Sequence, residues 1–241
     1  MRERTGKNVK VKKSYFKVCL LTICILLGQG IAVSAAKTPV AAHGRLSVKG
    51  VDLIDAKGKK FQLRGISSHG INWDVGAPYV NKASFKTLRD DWGANAVIIV
   101  GTPNWSQLGS EVANHPIKGY KNIMYSLHFY ANEKKHSQYL PSKLDESRKK
   151  GLAVIVSEFG MSAASGNGGI STGSTGKWLK RLNKKNVSYF CWSLSNKKES
   201  CSLLASKTRK TGNWKTKDLS KAGKYIRSKY RARKKALGKN S

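Results

Sequence analysis

The 241 residues are enough for one domain with a hydrophobic core. The 46 lysines and arginines outnumber 13 aspartates and glutamates, and the net charge of +33 would attract polyanions, although no nucleic-acid motif accompanies it, so no specific nucleic-acid partner is predicted. Four cysteines form neither a disulfide framework nor a metal-binding pattern, and the sequence indicates no metal and no cofactor.

The first 36 residues have the pattern of a secretory signal. Seven basic residues precede a short apolar run at 18–27. Val33, Ser34 and Ala35 then offer small side chains for cleavage by a signal peptidase. The run is short for a bilayer span. We therefore predict an exported protein, with a signal anchor as the alternative. A linker over 37–44 and one domain over 45–241 would follow, and the sequence leaves open whether Cys191 and Cys201 pair.

Predicted strands and helices alternate along this domain. Residues 45–50 and 59–63 are predicted to pair as a hairpin about a turn at 55–58. The further predicted strands cover 96–101, 123–130, 152–160 and 187–194, and the predicted helices cover 81–92, 141–150, 177–185 and 221–237. This alternation is typical of parallel βα units.

The stretch 152–160, Leu-Ala-Val-Ile-Val-Ser-Glu-Phe-Gly, is the most informative strand. Its five leading apolar residues indicate a strand buried on both faces, as in a parallel sheet covered by helices. The run ends at Glu158, and burying an unpaired carboxylate is costly unless the protein uses it. A Glu that caps the strand and faces solvent is the alternative.

Other apolar runs also end in polar or aromatic residues, and we predict that these ends line one cleft. The carboxyl ends of the strands of a parallel barrel meet at one face, where active sites are built. The residues concerned are His69, His128, Tyr130, Glu158 and Trp192. His43, His115 and His136 lie outside this pattern and are predicted to be surface residues.

In this order the segments resemble bacterial endoglucanases of glycoside hydrolase family 5. The resemblance rests on Leu-Arg-Gly-Ile-Ser-Ser-His-Gly-Ile-Asn-Trp at 63–73 and Leu-Arg-Asp-Asp-Trp-Gly-Ala-Asn at 88–95, and continues through 98–107, 128–131, 156–169 and 191–200. It implies a (β/α)₈ barrel that hydrolyses β-1,4-glucan with retention of configuration. A β-glucan polysaccharide is then the expected partner.

The resemblance also implies roles for single residues. Glu158 falls on the nucleophile position, and His128 and Tyr130 fall on the residues that hold the nucleophile and contact the sugar. Trp192 falls on the aromatic platform under the sugar ring. The remaining substrate-binding positions implied are His69, Trp73, Asp74, Ala164, Ser165, Lys197, Lys198 and Glu199.

The chain departs from the family in the middle of the barrel. Residues 95–97 continue directly into Ile-Ile-Val-Gly-Thr at 98–102, where the family has about half of its barrel. The missing segment carries the Asn-Glu-Pro whose Glu is the acid/base, and this chain contains no Asn-Glu-Pro. Glu133, after Asn132, is the candidate replacement, with a solvated Glu in a lysine-rich loop as the alternative. Asp74 in a loop and Asp90 and Asp91 on a helix are further carboxylates considered for the role.

The fold predicted from these observations is an incomplete (β/α)₈ barrel of α/β class with an N-terminal β-hairpin. A shortened barrel should leave open sheet edges, which invite pairing with a second copy of the chain. A glycan hydrolase that uses Glu158 and a non-catalytic secreted binder of glycan or anionic cell-wall polymer are both compatible with the sequence. The sequence does not distinguish either of them from an inactive product of internal deletion.

Overall fold

An N-terminal hairpin precedes the sheet that carries the candidate site. The structure, a computed structural model, describes residues 39–68, 74–98 and 124–238. Helix α1 (Pro39–His43) leads into β1 (Ser47–Lys49), which pairs antiparallel with β2 (Asp52–Ile54). Gly50 turns between the two strands with a φ of 58°, which glycine adopts without strain. The hairpin is therefore confirmed.

The position predicted for the second strand of the hairpin, 59–63, is wrong. The predicted turn at 55–58 is present, because the Asp55 carboxylate accepts hydrogen bonds from the Lys57 and Lys59 N–H groups, each at 2.9 Å. Beyond that turn, Lys60 makes only an isolated antiparallel bridge with Ile54. The strand that pairs with β1 is β2, which follows the earlier turn at Gly50. The segment after the turn at 55–58 only adds a bridge to the other edge of β2.

Within the residues that the structure describes, five parallel strands form the main sheet. They are β3 (Arg64–Ser68), β4 (Ala96–Ile98), β5 (Tyr125–Tyr130), β6 (Val154–Gly160) and β7 (Tyr189–Leu194). Their spatial order is β4-β3-β7-β6-β5. The first parallel strand thus lies beside the last, which is the pairing that closes a (β/α)₈ barrel.

The sheet is an incomplete barrel of the expected class. Among the described strands, β4 and β5 each have one neighbour. Residues 99–123, which connect them, lie outside the described residues. Pairing of these edges with a second copy of the chain stays a prediction.

Four helices follow the strands, and two of them begin earlier than predicted. They are α2 (Lys82–Thr87, continued by a π-helical turn over Leu88–Trp92), α3 (Lys134–Lys149), α4 (Thr172–Lys184) and α5 (Lys221–Gly238). Pro141 lies inside α3, where the sequence indicated a helix start. Ser171 caps α4 by accepting the Ser174 N–H at 3.2 Å, so α4 begins five residues before the predicted start at 177.

The helix-facing side of the sheet is an aromatic core. Phe129 of β5 stacks on Trp178 of α4 with ring centroids 4.0 Å apart and on Phe159 of β6 at 5.3 Å. Tyr230 of α5 is fully buried and donates a hydrogen bond to the Gly65 carbonyl oxygen at 2.8 Å. Because side chains alternate along a strand, the neighbours of Phe129 on β5 face the other side of the sheet. None of the helices in the described ranges is long and apolar enough to span a membrane.

Candidate active site

Strand β6 contains one extra residue at Ser157–Glu158, relative to both of its neighbours. Its pairs with β5 are Ser126↔Ile155 and His128↔Glu158, so β6 uses three steps where β5 uses two. Its pairs with β7 show the same excess, between Val156 and Phe159. Such a β-bulge re-aims side chains and is common beside active sites.

As a result, Ser157 and Glu158 both contact the face of β5 that points away from the helices. Glu158 is half-buried, and its Oε1 accepts a hydrogen bond of 2.6 Å from the Tyr130 hydroxyl. The Tyr130 side chain is 8% exposed. Burial raises the pKa of the Tyr130 phenol, and the Glu158 carboxylate raises it further. Tyr130 therefore keeps its proton and donates a fixed hydrogen bond that orients one oxygen of Glu158.

His128 lies opposite Glu158 in the strand register but bonds to a different residue. Its Nε2 is 2.8 Å from Ser157 Oγ, which also contacts the Ser126 hydroxyl. Burial lowers the pKa of His128, although the charge of Glu158 opposes this effect. A neutral imidazole can donate a hydrogen bond to a serine hydroxyl or accept one from it. Through this contact with Ser157, His128 fixes the position of the bulge next to Glu158.

His136 was predicted to be a surface residue, and this prediction is wrong. Its side chain is 8% exposed, and its Nδ1 accepts a hydrogen bond from the Tyr130 N–H at 3.0 Å. The buried residues His136, Leu140, Leu144 and Ser147 recur at helical spacing along α3. That periodicity would have identified His136, had the predicted helix not begun at Pro141.

The two buried histidines give the protein a predictable pH dependence. Burial holds the pKa of His128 and His136 below the ordinary value of 6.5. Below that value the unfolded chain binds protons that the folded chain does not. The two histidines should therefore leave the free energy of unfolding unchanged above pH 6.5 and lower it as the pH falls toward 5. Urea denaturation at constant ionic strength between pH 5 and 7.5 measures this decrease.

The matched variant for this measurement is His136→Gln. A glutamine oxygen can still accept the Tyr130 N–H but does not titrate, so we expect a shallower decrease. An identical pH profile in the variant would contradict the assignment of part of the decrease to His136. The partnered carboxylates, such as Asp52 and Glu146, have a lowered pKa and lose their stabilising contribution below this pH window.

Gly160 provides the space in which the Tyr130 ring lies. A Cβ added at Gly160 would be 2.5 Å from two ring carbons of Tyr130. We expect Gly160→Ala to displace the ring and to break the Tyr130–Glu158 hydrogen bond. A hydrogen bond to a charged group contributes about 1.5–3 kcal/mol, so any activity that depends on Glu158 should fall about 10- to 100-fold.

The control for this substitution is Tyr130→Phe, which removes the hydrogen bond and leaves the ring. The two variants should lose similar activity in kcat/KM measurements while both remain folded by circular dichroism. Full activity in Gly160→Ala would show that the ring position does not matter.

A second carboxylate, Glu199, lies in the loop after β7. Its side chain is 4% exposed, and its Oε2 is 2.7 Å from Lys197 Nζ. Cys201 Sγ donates to its Oε1 at 3.2 Å. Cys191 and Cys201 are both buried free thiols, so the two do not pair in this structure. Lys198 in the same loop is exposed, and Trp192 at the end of β7 is half-buried.

The loop after β6 adjoins the Glu199 loop. Its residues Ala164 and Ser165 are exposed. Hydrogen bonds join the two loops, from the Gly169 N–H to Ser200 Oγ at 3.1 Å and from the Cys201 N–H to the Gly166 carbonyl at 3.0 Å. The predicted binding loops are thus brought together.

The carboxylates considered as acid/base are dispersed. Glu133 directly precedes α3, without a side-chain capping hydrogen bond, and is half-buried, with Oε2 accepting a hydrogen bond of 3.4 Å from the Ala164 N–H. Its role as an acid stays a prediction. Asp90 pairs with Lys86, and Asp91 pairs with arginines of α5, in a cleft between α2 and α5. Asp90 and Asp91 are thus occupied by ion pairs away from Glu158.

The remaining predicted residues divide into two groups. Asp74 lies exposed in a turn, whereas His69 and Trp73 lie outside the described residues. Over the described ranges, no group of three or more His, Cys, Asp or Glu side chains is placed to hold a metal ion.

Comparisons with known proteins show which family the chain is similar to. The family model described as Cellulase (glycosyl hydrolase family 5) matches residues 93–198. Endoglucanase 5 of Pectobacterium carotovorum subsp. carotovorum is 30% identical over 325 residues, which include 90% of this chain and 63% of that protein. Endoglucanase N of Pectobacterium atrosepticum is 29% identical over 325 residues, with 90% of this chain and 72% of that protein covered. The matched stretch is longer than this chain, so both relatives contain residues that have no counterpart here.

Solved structures give the same result for the fold. A protein from Cytophaga hutchinsonii superposes with a TM-score of 0.77 and 25% identity, covering 85% of this chain and 100% of that chain. The catalytic domain of Thermobifida fusca endoglucanase Cel5A, in complex with cellotetraose, superposes with a TM-score of 0.71 and 20% identity, covering 81% of this chain and 100% of that chain.

Proposed function

The chain belongs to glycosyl hydrolase family 5, and from this premise we propose that it hydrolyses β-1,4-glucan by a retaining mechanism with Glu158 as the nucleophile. The observation that carries the proposal is the half-buried Glu158 carboxylate on the β6 bulge, held by the Tyr130 hydroxyl. The cellotetraose bound to the T. fusca enzyme supports the substrate class.

The proposed chemistry has two displacements. The Glu158 carboxylate attacks the anomeric carbon, the bond to the leaving oxygen breaks, and a glycosyl ester forms. Water then attacks the same carbon, which frees the carboxylate and leaves the sugar in its original configuration. Because Tyr130 holds Oε1, the attacking oxygen is Oε2.

The leaving oxygen needs a proton, and this requirement sets the expected rate. The family supplies the proton from the Glu of an Asn-Glu-Pro, a tripeptide that this sequence lacks. The longer matched stretch in the relatives supports an internal deletion that removed it. Loss of general-acid catalysis typically slows such a step about 10²–10⁴-fold, so we expect weak activity. Glu133, which contacts the Ala164 loop, is the candidate substitute.

The experiment that tests the proposal uses an uncharged soluble substrate. Hydroxyethylcellulose is incubated with the purified chain, and soluble starch serves as the α-linked control. NMR of the products from cellotetraose should show the β-anomer first, as retention requires. Absence of any turnover of cellotetraose, or the α-anomer as first product, would refute the proposed mechanism.

A non-catalytic glycan binder is the second candidate function, and the missing Asn-Glu-Pro favours it. Binding of cellotetraose without turnover, retained in Glu158→Gln, would identify it. The half-buried Trp192 offers an aromatic face for such binding.

Export is also part of the proposal. The basic residues and the apolar run 18–27, followed by Val33, Ser34 and Ala35, support it. N-terminal sequencing of protein recovered from the medium of an expressing bacterium should begin close to Lys37.

A further inference from the structure

Helix α5 concentrates positive charge on the surface of the domain. Its 18 residues include eight lysines and arginines and no aspartate or glutamate. Ala222, Gly223, Ile226 and Tyr230 form its buried side against the sheet. The charged side chains therefore lie on the flanks and on the outer side of the helix.

The arginines and the lysines of α5 have different surroundings. Arg227 Nη2 donates to Thr216 Oγ1 at 2.8 Å, Arg231 Nε donates to the Asp91 carbonyl oxygen at 2.8 Å, and Arg233 Nε donates to Gln62 Oε1 at 3.3 Å. The arginines thus hold α5 to neighbouring elements.

Three lysines supply the charge of the outer side. Lys221, Lys224 and Lys235 are exposed, and among the described residues none of them has an acidic partner. At 3.6 residues per turn they share one stripe with Ser228 and Arg231, opposite Ile226. With a rise of 1.5 Å per residue, this stripe is about 21 Å long.

The segment before α5 carries two more exposed lysines on the Arg227 flank of the helix. Lys215 and Lys217 are exposed, and Lys215 helps to line the cleft of about 460 Å³ between α2 and α5. We use the term basic face for Lys215, Lys217, Lys221, Lys224 and Lys235. Like charges on neighbouring segments of one surface repel each other unless an anionic partner neutralises them.

The surroundings of the basic face argue against two kinds of partner. Helices that insert into membranes expose an apolar side, whereas the apolar side of α5 is buried, apart from Leu237 at the helix end. Proteins that bind single-stranded nucleic acid present exposed aromatic rings, whereas Tyr225 is half-buried and lies under Lys229 Nζ, 5.0 Å from the ring centroid. A polymer that carries anionic groups, but neither nucleobases nor acyl chains, matches a face that exposes lysines without aromatic or apolar side chains.

We infer that the basic face binds a linear anionic polysaccharide whose carboxylates pair with the row of lysines. The carboxyl end of α5 lies away from the candidate active site, because Arg233 contacts Gln62 before β3, whereas Glu158 lies toward the carboxyl end of β6. The inference does not depend on the proposed hydrolysis.

Binding of polygalacturonate by the full chain, measured by calorimetry at several salt concentrations, tests the inference. The variant carries Lys221→Gln, Lys224→Gln and Lys235→Gln. Its control carries Lys177→Gln, Lys180→Gln and Lys184→Gln, three exposed lysines on α4 with the same loss of charge. We expect the α5 variant to bind at least 10-fold more weakly, with a salt slope smaller by about two to three, and the control to change less than threefold.

Three results would overturn the inference. They are no binding of polygalacturonate by the parent chain, an equal loss in the two triple variants, and tighter binding of a 20-base-pair duplex or of phosphatidylglycerol vesicles than of polygalacturonate. Neutral dextran should not bind. Turnover of hydroxyethylcellulose, if present, should be the same in the parent and in the α5 variant, which separates this test from the test of hydrolysis.

Discussion

Glu158→Gln should lower kcat/KM on an activated aryl cellobioside by more than about 10³-fold, because the amide cannot attack the anomeric carbon. Gln is close to Glu in shape, and its oxygen can still accept the hydrogen bond that Tyr130 donates at 2.6 Å. Fold and substrate binding should therefore persist. Initial rates with 2,4-dinitrophenyl β-cellobioside, together with circular dichroism of each variant, measure the effect.

Two further variants make this result specific. Glu133→Gln removes a carboxylate outside the Tyr130–Glu158 pair and should leave the rate on the dinitrophenyl substrate within a few-fold. Glu158→Ala with added azide should recover turnover, since azide occupies the space of the carboxylate and attacks from the same side. Its product should be the α-glycosyl azide. If Glu158→Gln keeps the parental rate, another group is the nucleophile.

The second large effect concerns the leaving group. Without a general acid, the aglycone must depart as an anion, so the rate should fall steeply as the leaving group becomes more basic. We expect kcat/KM for 2,4-dinitrophenyl β-cellobioside to exceed that for phenyl β-cellobioside by more than about 10²-fold, which corresponds to the contribution of a missing acid. A series of substituted phenyl cellobiosides measures the slope.

The same series tests Glu133 as substitute acid. If Glu133 protonates the leaving oxygen, the parent slope should be shallow, and Glu133→Gln should make it steep while leaving the dinitrophenyl rate nearly unchanged. A shallow slope in both proteins would mean that some other residue delivers the proton. A steep slope in both would mean that no acid acts.

Sequence reasoning located the strands because buried parallel strands have apolar runs that end abruptly. The run 152–160 identified β6 and placed Glu158 toward its end, where the structure shows the contact with Tyr130. The pairing register of β6 with its neighbours could not be predicted from the sequence of this run alone. The extra residue at Ser157 becomes visible only when β5 and β7 pair on either side, because a bulge is a property of three strands together.

Helix starts were the weaker part of the prediction for a local reason. Proline favours the first turn of a helix, and glycine disfavours helix interiors, so Pro141, Gly173 and Gly176 shifted the predicted starts of α3 and α4 toward later residues. Packing against the sheet offsets these local preferences. This shift also hid His136, whose contact with the Tyr130 backbone depends on a helix that begins at Lys134.

The strand order gives the end of the chain an unusual importance during synthesis. Among the described strands, β7 alone joins the pair β3–β4 to the pair β5–β6. Arg64 of β3 pairs with Tyr189 of β7, so this pairing cannot form until β7 has been synthesised. Contacts between residues so far apart form late and slow folding. Within the described strands, a nascent chain that ends before β7 has no pairing between the pair β3–β4 and the pair β5–β6, so we expect it to be sensitive to proteases until β7 and α5 have emerged from the ribosome.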